Sequence, residues 1–430
     1  MQTKFSADQL ANPAMAAAAG AIRACVHCGI CTSTCPTYVL LGNELDSPRG
    51  RIYLVKEMLE KAAMPSPQVV KHLDRCLSCL ACETACPSGV SYRRIIDKGR
   101  AYVEEHYRRP LRERLLRAVL AGILPHRGRL RMALSLASLA RPLAGLFERI
   151  PALRATATML RLSDAVLGSE EPPTAGVREP ARGIRVGLAR GCVEPVLDPA
   201  IQAAAVRLLQ RAGCEVVRAG RDGCCGALPH HLGREAQALM MARASVDAWW
   251  REIESAPLEA IVVTASGCGT VIRDYGYLLR DDPQYAAKAA RISALACDIT
   301  EIMDRVGLPP IRLPKTITVA YHAPCSSQHG QRLRDVPARL LAGAGFEVRT
   351  PAEAHICCGS AGVYNILQPD IAERLGARKA AALDDLEPDV IATGNIGCMV
   401  QIGRASAVPV VHVAQLLDWA TGGPKPARMG

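Results

Sequence analysis

No apolar run in the 430-residue chain approaches the 18 or so residues that a membrane span needs. Candidates such as 405–417 are too short and contain polar residues. A soluble or peripheral protein is expected. The opening stretch MQTKFSADQLANPAMAAAAG lacks the basic segment and apolar core of an export signal, so a reducing, cytoplasmic setting is expected. There is also no G-x-G-x-x-G after a strand-like run and no G-x-x-x-x-G-K-[ST] loop. Without such a cradle, flavin or nicotinamide chemistry is not expected on this chain. Lysine is absent between positions 108 and 161 and aromatics are few there. That stretch carries no recognisable nucleic-acid fold, and no nucleic-acid partner is expected.

What the chain has in excess is cysteine, 18 in all. A disulfide scaffold suits a short secreted chain, so these thiols read as metal ligands or redox groups. CVHCGICTSTCP places Cys25, Cys28, Cys31 and Cys35 before Pro36, and CLSCLACETACP places Cys76, Cys79, Cys82 and Cys86 before Pro87. Each run is C-x2-C-x2-C-x3-C-P, the bacterial ferredoxin spacing for [4Fe–4S] clusters. Three closely spaced thiolates on one tight loop reach three irons of a cube. The fourth, set apart by the longer gap, reaches the other cluster. The expected ligand sets are Cys25, Cys28, Cys31 and Cys86 for one cluster, and Cys35, Cys76, Cys79 and Cys82 for the other. Zinc also takes C-x2-C pairs, but two complete four-cysteine runs with the C-P ending weigh against it. His27 is either a loop residue or a hydrogen-bond donor to sulfur. Arg49 and Arg51 either offset cluster charge or lie solvated on the surface.

The charge is uneven. Twelve arginines and two glutamates between 108 and 161 account for +10 of the net +11. Short helices over 111–124 and 129–139 are expected, with breaks at Pro110, Pro125, Pro142 and Pro151. Residues 168–182, GSEEPPTAGVREPAR, read as a linker. Basic amphipathic helices of this kind suit an anionic membrane surface or an acidic partner. Neutralising Arg112, Arg114 and Arg117 is expected to release the protein from anionic vesicles.

Beyond the linker, short β-branched runs alternate with helical ones, the pattern of a parallel α/β domain. The pattern then repeats. Cys192, Cys224 and Cys225 recur 133 positions later as Cys325, Cys357 and Cys358, and Cys268 recurs 130 later as Cys398. Each half contains a CCG and ends in a strand-like run into Gly–Cys, which makes 183–423 an internal duplication. Strand-end loops converge at one sheet edge, so each set of four thiols could hold a cluster or zinc, or form a redox disulfide. Cys214 and Cys297 have no counterparts and read as buried structural cysteines. The expected architecture is α plus α/β. It comprises a helical dicluster ferredoxin-like domain at 1–105, an arginine-rich helical segment and linker at 106–182, and two CCG domains at 183–312 and 313–430.

Tandem ferredoxin motifs followed by two CCG domains resemble the iron–sulfur subunits of flavin dehydrogenases. RACVHCGICTSTCPTYVLLGNELDSPRGRIYLVKEMLE, LDRCLSCLACETACPSGV, TASGCG, HICCGSAG and TGNIGC look most like the iron–sulfur subunit of bacterial glycolate oxidase, over nearly the whole chain. The resemblance implies two flavin-binding partner subunits carrying FAD and oxidation of glycolate, or D-lactate, on those partners. Electrons would then pass through the clusters to a quinone at the cytoplasmic face of the membrane. Equivalent subunits serving glycerol 3-phosphate or L-lactate are the near alternatives, and a heterodisulfide-reductase-like thiol reductase is a further one. In those reductase-like relatives the last repeat element is C-x2-C. Here Ala265 and Asn395 stand where the first of those cysteines would be.

Overall fold

The computed structural model describes residues 1–140, 142, 145, 147, 183–220 and 222–430. The expected linker at 168–182, the break at Pro151, and Arg141, Arg149, Arg154 and Arg161 lie outside the described residues.

The N-terminal part is helical. Pro13–Ala24, Pro36–Leu41, Pro48–Glu60 and Pro67–Asp74 each open on a proline, whose fixed φ and missing N–H suit the first helical position. Asn12, Ser47 and Ser66 cap three of them by accepting from the N–H groups of Met15, Gly50 and Val69 at 3.0, 3.0 and 3.3 Å. The cap position of Pro36–Leu41 is Cys35. The C-P ending therefore carries the fourth thiol out of the first loop and onto a helix start. Ile22, Val55, Leu59 and Leu73 pack with Ile95, Ile96 and Val103 of the helix Tyr92–His106 to form this domain's core.

The two arginine-rich helices are Leu111–Ile123 and Arg127–Ala140. They brace the molecule from within. Leu120, Leu124, Leu130 and Leu134 pack against Val196, Leu197, Ile366 and Met399 of the repeats. Arg117, expected on a basic outer face, is buried instead. It pairs with Asp74 at 3.0 Å and with Glu113 at 3.1 Å, while Arg109 pairs with the same Asp74 at 2.6 Å. The i, i+4 spacing of Arg109, Glu113 and Arg117 puts all three on the face turned toward Asp74. What remains outside is a mixed face of Leu111, Leu115, Met132, Leu136 and Leu139 with Arg112, Arg114, Arg129 and Arg131. Among the described residues no helix is long and apolar enough to cross a membrane.

The duplication is explicit in the sheets. Strands β1 (Ile184–Leu188), β2 (Cys214–Val217), β3 (Ala260–Val263) and β4 (Ala296–Asp298) form a parallel sheet in the order β2-β1-β3-β4. Strands β5 (Thr318–His322), β6 (Glu347–Arg349), β7 (Val390–Thr393) and β8 (Val410–His412) repeat it as β6-β5-β7-β8. The registers correspond, with Val186 opposite Val216 and Ala260, and Val319 opposite Val348 and Val390. The two sheets share one core, in which Leu188, Val262 and Met303 pack with Val319, Leu416 and Leu417. Cys214 and Cys297 sit on β2 and β4 within that core, as the reading of structural cysteines requires. The ferredoxin-like part is fastened to the repeats by polar contacts. Arg94 forks onto Asp274 at 2.5 and 2.6 Å, Asp97 meets His230 at 3.1 Å, and Thr84 meets His329 at 2.7 Å.

Candidate metal centres

The two N-terminal loops have the same backbone. His27 and Gly29 in the first, and Ser78 and Leu80 in the second, occupy equivalent positions with φ of 60, 85, 50 and 63°. Left-handed conformations cost non-glycine residues about 1–2 kcal/mol each. In return the loops turn amides toward sulfur, with the Ser78 N–H 3.5 Å from Cys76 Sγ and the Ala81 N–H donating to Cys79. His27 takes the first left-handed position, and its residue is exposed.

A cavity of about 30 Å³ is lined by Cys25, Cys28, Cys31 and Cys86, with Arg49, Tyr92 and Cys82 at its border. A second, of about 20 Å³, is lined by Cys35, Cys76, Cys79 and Cys82, with Arg51 and Tyr92. The donor chemistry of each set, four thiols with amide N–H groups directed at sulfur, suits an iron–sulfur cluster. Arg49 lies near the surface in an ion pair with Glu44. Arg51 does not. Its side chain is 1 % exposed, with Nη1 3.8 Å from Cys35 Sγ. Its Nε donates to the His72 carbonyl at 2.7 Å and its Nη2 to Thr37 Oγ1 at 3.0 Å. The fully buried Asp46 completes the network, lying 3.4 Å from Arg51, 2.9 Å from Arg75 and 2.9 Å from His72 Nδ1. Burial would raise the Cys76 thiol, but Arg51 and Arg100, helped by the Ser78 N–H and the Tyr92 hydroxyl, outweigh it and favour thiolate. Cys79 and Cys82 are pushed well up, first by burial and then by neighbouring thiols. That cost is relieved when a cation takes the proton's place.

In the repeats, the glycine of each CCG is in the left-handed region, Gly226 at φ +83° and Gly359 at φ +87°. A Cβ there would stand 2.8 Å from the Ala238 carbonyl oxygen and 2.7 Å from that of Ala372. Only glycine lets the loop lie this close to the helices Glu235–Ser255 and Pro369–Asp384. The vicinal cysteines are thereby held against the C-terminal ends of the strands. All eight repeat cysteines face one cavity of about 240 Å³: Cys192, Cys224, Cys225 and Cys268 on one side, Cys325, Cys357, Cys358 and Cys398 on the other. Sulfurs of Cys325 and Cys357 are 3.6 Å apart, and those of Cys358 and Cys398 are 3.4 Å apart. In the first set Cys224 is the thiol most readily ionised, since Cys192, Cys225 and the Gly226 N–H all donate to it.

Ala265 and Asn395 line the same cavity. Asn395 accepts from the Gly397 N–H at 2.8 Å and donates to Ser266 Oγ at 3.0 Å, capping its own helix and tying the repeats together. The second ferredoxin loop reaches this region, because Leu77 and Cys79 pack in one cluster with Cys325 and Cys357. Spacing alone does not reveal that both thiol sets meet in one chamber, nor the buried polar residues beside them. Glu194 is pushed up to about 7 by burial, against hydrogen bonds from Gln202 and Thr264. Lys379 donates to the Glu353 carbonyl at 2.8 Å near the second set. His322 stands three residues before Cys325, a proximity in sequence that could have flagged it.

Comparison with known proteins agrees with this layout. Residues 21–90 match the 4Fe-4S dicluster domain family, and residues 186–273 and 319–403 each match the cysteine-rich CCG domain family. The glycolate oxidase iron–sulfur subunit of Escherichia coli strain K12 is 40 % identical over 420 residues, 98 % of this chain and 99 % of that protein. The probable glycolate oxidase iron–sulfur subunit of Bacillus subtilis strain 168 is 31 % identical, over 94 % of this chain and 95 % of that one. Lactate utilization protein A of Bacillus velezensis is 28 % identical over 55 % of this chain. A crystal structure of a hypothetical protein from Helicobacter pylori shares the fold with a TM-score of 0.55 over 97 % of this chain and 74 % of that one, at 9 % identity. The chain belongs to the family of glycolate oxidase iron–sulfur subunits.

Proposed function

We propose that this chain is the electron-transfer subunit of a flavin-dependent glycolate dehydrogenase, with D-lactate as a second substrate of the assembly. In this reading Cys25, Cys28, Cys31 and Cys86 hold one [4Fe–4S] cluster, and Cys35, Cys76, Cys79 and Cys82 hold the other. Such clusters accept and release single electrons. The observation that carries the proposal is the continuity of thiols through the molecule. They begin at the exposed Cys28, pass Cys82, which lines both small cavities, and continue from Cys79 to Cys325 at the large one. The repeat cysteines would extend that line with further metal centres. FAD and substrate would reside on two flavin-binding partner subunits, and a quinone would be the acceptor. Around Cys28 the loop exposes Val26 at 68 % and Ile30 at 52 %, an apolar rim suited to docking a partner. The outer face of the arginine-rich helices would rest on an anionic membrane surface.

The test is to purify the assembled complex without oxygen and add glycolate. Glycolate-dependent reduction of paramagnetic cluster signals, with quinone reduction, is the expected result. Cys82→Ser should abolish quinone reduction while glycolate still bleaches the partner's flavin. Full quinone reduction by that variant would refute the route. Greater activity with L-lactate than with glycolate would favour the alternative of an L-lactate dehydrogenase assembly.

A further inference from the structure

We propose that His322 supplies an imidazole nitrogen to a metal centre that it shares with Cys358 and Cys398, giving the second repeat a mixed nitrogen–sulfur site at a position where the first repeat has an alanine. The inference rests on the reading that the repeats hold metal, and it names a ligand outside the cysteine pattern.

His322 ends β5 and is 1 % exposed, yet neither ring nitrogen has a hydrogen-bond partner in the protein. Buried polar side chains are overwhelmingly hydrogen-bonded, so an imidazole with both nitrogens unpaired calls for a partner the polypeptide does not provide. One such partner fits the geometry. A ring nitrogen of His322 and the sulfurs of Cys358 and Cys398 all lie within 4.8 Å of one another. A tetrahedral ion with sulfur at about 2.3 Å and nitrogen at about 2.0 Å holds its ligand atoms roughly 3.5–3.8 Å apart. The two sulfurs already stand at 3.4 Å. Cys325 and Cys357, whose sulfurs are 3.6 Å apart, line the cavity shared with Cys358 and Cys398, and one of them would supply the fourth donor.

The two halves of the duplication differ at this point. At the 133-residue offset that relates Cys192 to Cys325, the counterpart of His322 is Ala189, which offers no donor. The same offset sets the buried Lys379 against Val246. Replacing a thiolate by a neutral imidazole removes one negative charge from the shell, and Lys379 adds a positive charge beside it. If the metal is iron, both changes make the second centre easier to reduce than the first, in the sense known for histidine-ligated clusters. Zinc would occupy the same donors with no redox role. The shared chemistry is a metal that takes imidazole and thiolate together.

The experiment uses the full chain, purified anaerobically and labelled with ¹⁵N-histidine. Pulsed electron paramagnetic resonance reads nitrogen coupling to iron, and X-ray absorption at the zinc edge reads the same ligand on zinc. The expected result is metal in excess of the roughly eight irons of two [4Fe–4S] clusters. An imidazole signature should accompany it on one of those metals. His322→Cys should keep that metal and lose the signature, and His322→Ala should lose the metal of one centre while the ferredoxin-type signals stay. Excess metal with no imidazole signature, or His322→Ala with unchanged metal and spectra, overturns the assignment of His322 but leaves the repeats as metal sites. About eight irons and no zinc would overturn the underlying reading, and this inference with it. The labelled wild-type spectrum decides the matter even if a variant fails to fold.

Discussion

Arg51 offers the sharpest quantitative test. Its guanidinium is buried against the second thiol set, with Nη1 3.8 Å from Cys35 Sγ. Two full charges at that separation interact by about 4 kcal/mol at an effective dielectric near 20. An electron added to a cluster is spread over several atoms farther from the arginine, so roughly half of that applies. About 2 kcal/mol corresponds to a potential change on the order of 90 mV for one electron. Arg51→Met should therefore lower the midpoint potential of one N-terminal cluster by that order and leave the other nearly unmoved. Stability should fall as well. Removing one partner of a buried ion pair costs about 3–5 kcal/mol, and the low end applies because Asp46 keeps Arg75 and His72. The two effects can be separated. Arg51→Met combined with Asp46→Asn removes both charges, so it should restore part of the potential. Arg51→Lys should keep the potential near wild type while losing the forked contacts to His72 and Thr37. Redox titration followed by electron paramagnetic resonance gives the potentials, and urea unfolding gives the stability. A potential unchanged to within about 20 mV in a folded, cluster-loaded Arg51→Met protein would show that the charge is not felt at the cluster, and the electrostatic role would be wrong.

Three further outcomes follow from contacts already described. Burial would raise Asp97, but His230, with His231 and Arg100 behind it, holds the carboxyl at about 2. A depressed carboxylate stabilises the fold above its unfolded pKa of about 3.8, and that stability is lost as pH falls through about 2. Wild type should accordingly lose about 2 kcal/mol more than Asp97→Asn between pH about 4 and 2, and parallel stability profiles would contradict the pairing. Gly359→Ala adds a backbone clash at 2.7 Å to a left-handed φ, whereas Gly362→Ala, at φ +67° with nothing within 4 Å, adds only the strain. The first should cost at least about 1 kcal/mol more than the second in chemical unfolding, and equal losses would show that the close approach is not enforced. For the outer basic face, Arg112→Gln with Arg114→Gln should weaken co-sedimentation with phosphatidylserine vesicles about 30-fold at low salt, at about 1 kcal/mol per charge. Arg117 must be left alone, because it holds Asp74 rather than lipid, and unchanged sedimentation would refute membrane contact by this face.

The parts legible in the sequence are those encoded locally or by repetition. Ferredoxin spacing, C-P endings and the 133-residue period are patterns of short range or fixed offset, and the dicluster and CCG matches agree with them. The parallel sheets follow from the alternation of β-branched runs and helices, and the registers of β1 and β5 match strand for strand. What could not be read depends on contacts between distant segments. Arg117 looks like any other arginine on a basic helix until Asp74, 43 positions earlier, is placed beside it. Arg51 reads equally as a counter-charge or a solvated residue, because a charge three residues after the helix-opening Pro48 says nothing about whether a domain closes over it. The single chamber formed by both thiol sets arises from packing of the two repeats, which no one-dimensional pattern records.

The absent fifth thiol of each repeat illustrates how duplicated sites diverge. At Asn395 a cap to the Gly397 N–H and a bond to Ser266 Oγ leave the side chain fully employed in structure. The equivalent Ala265 makes no such link, but the next residue, Ser266, receives Asn395 and also meets Ser326 Oγ at 2.7 Å. In the second half, a position that could have carried a ligand thus serves as a latch onto the first half. Such a latch fixes the separation of the two thiol sets, which matters more for passing electrons than for holding metal, since a metal needs only its own ligands in place. It also leaves each half one donor short. In the second half the buried imidazole of His322, with neither nitrogen paired, stands within 4.8 Å of two of the thiols, and in the first half the equivalent position is Ala189. The asymmetry in donors and the symmetry in backbone together suit a chamber that joins two unlike centres rather than two copies of one.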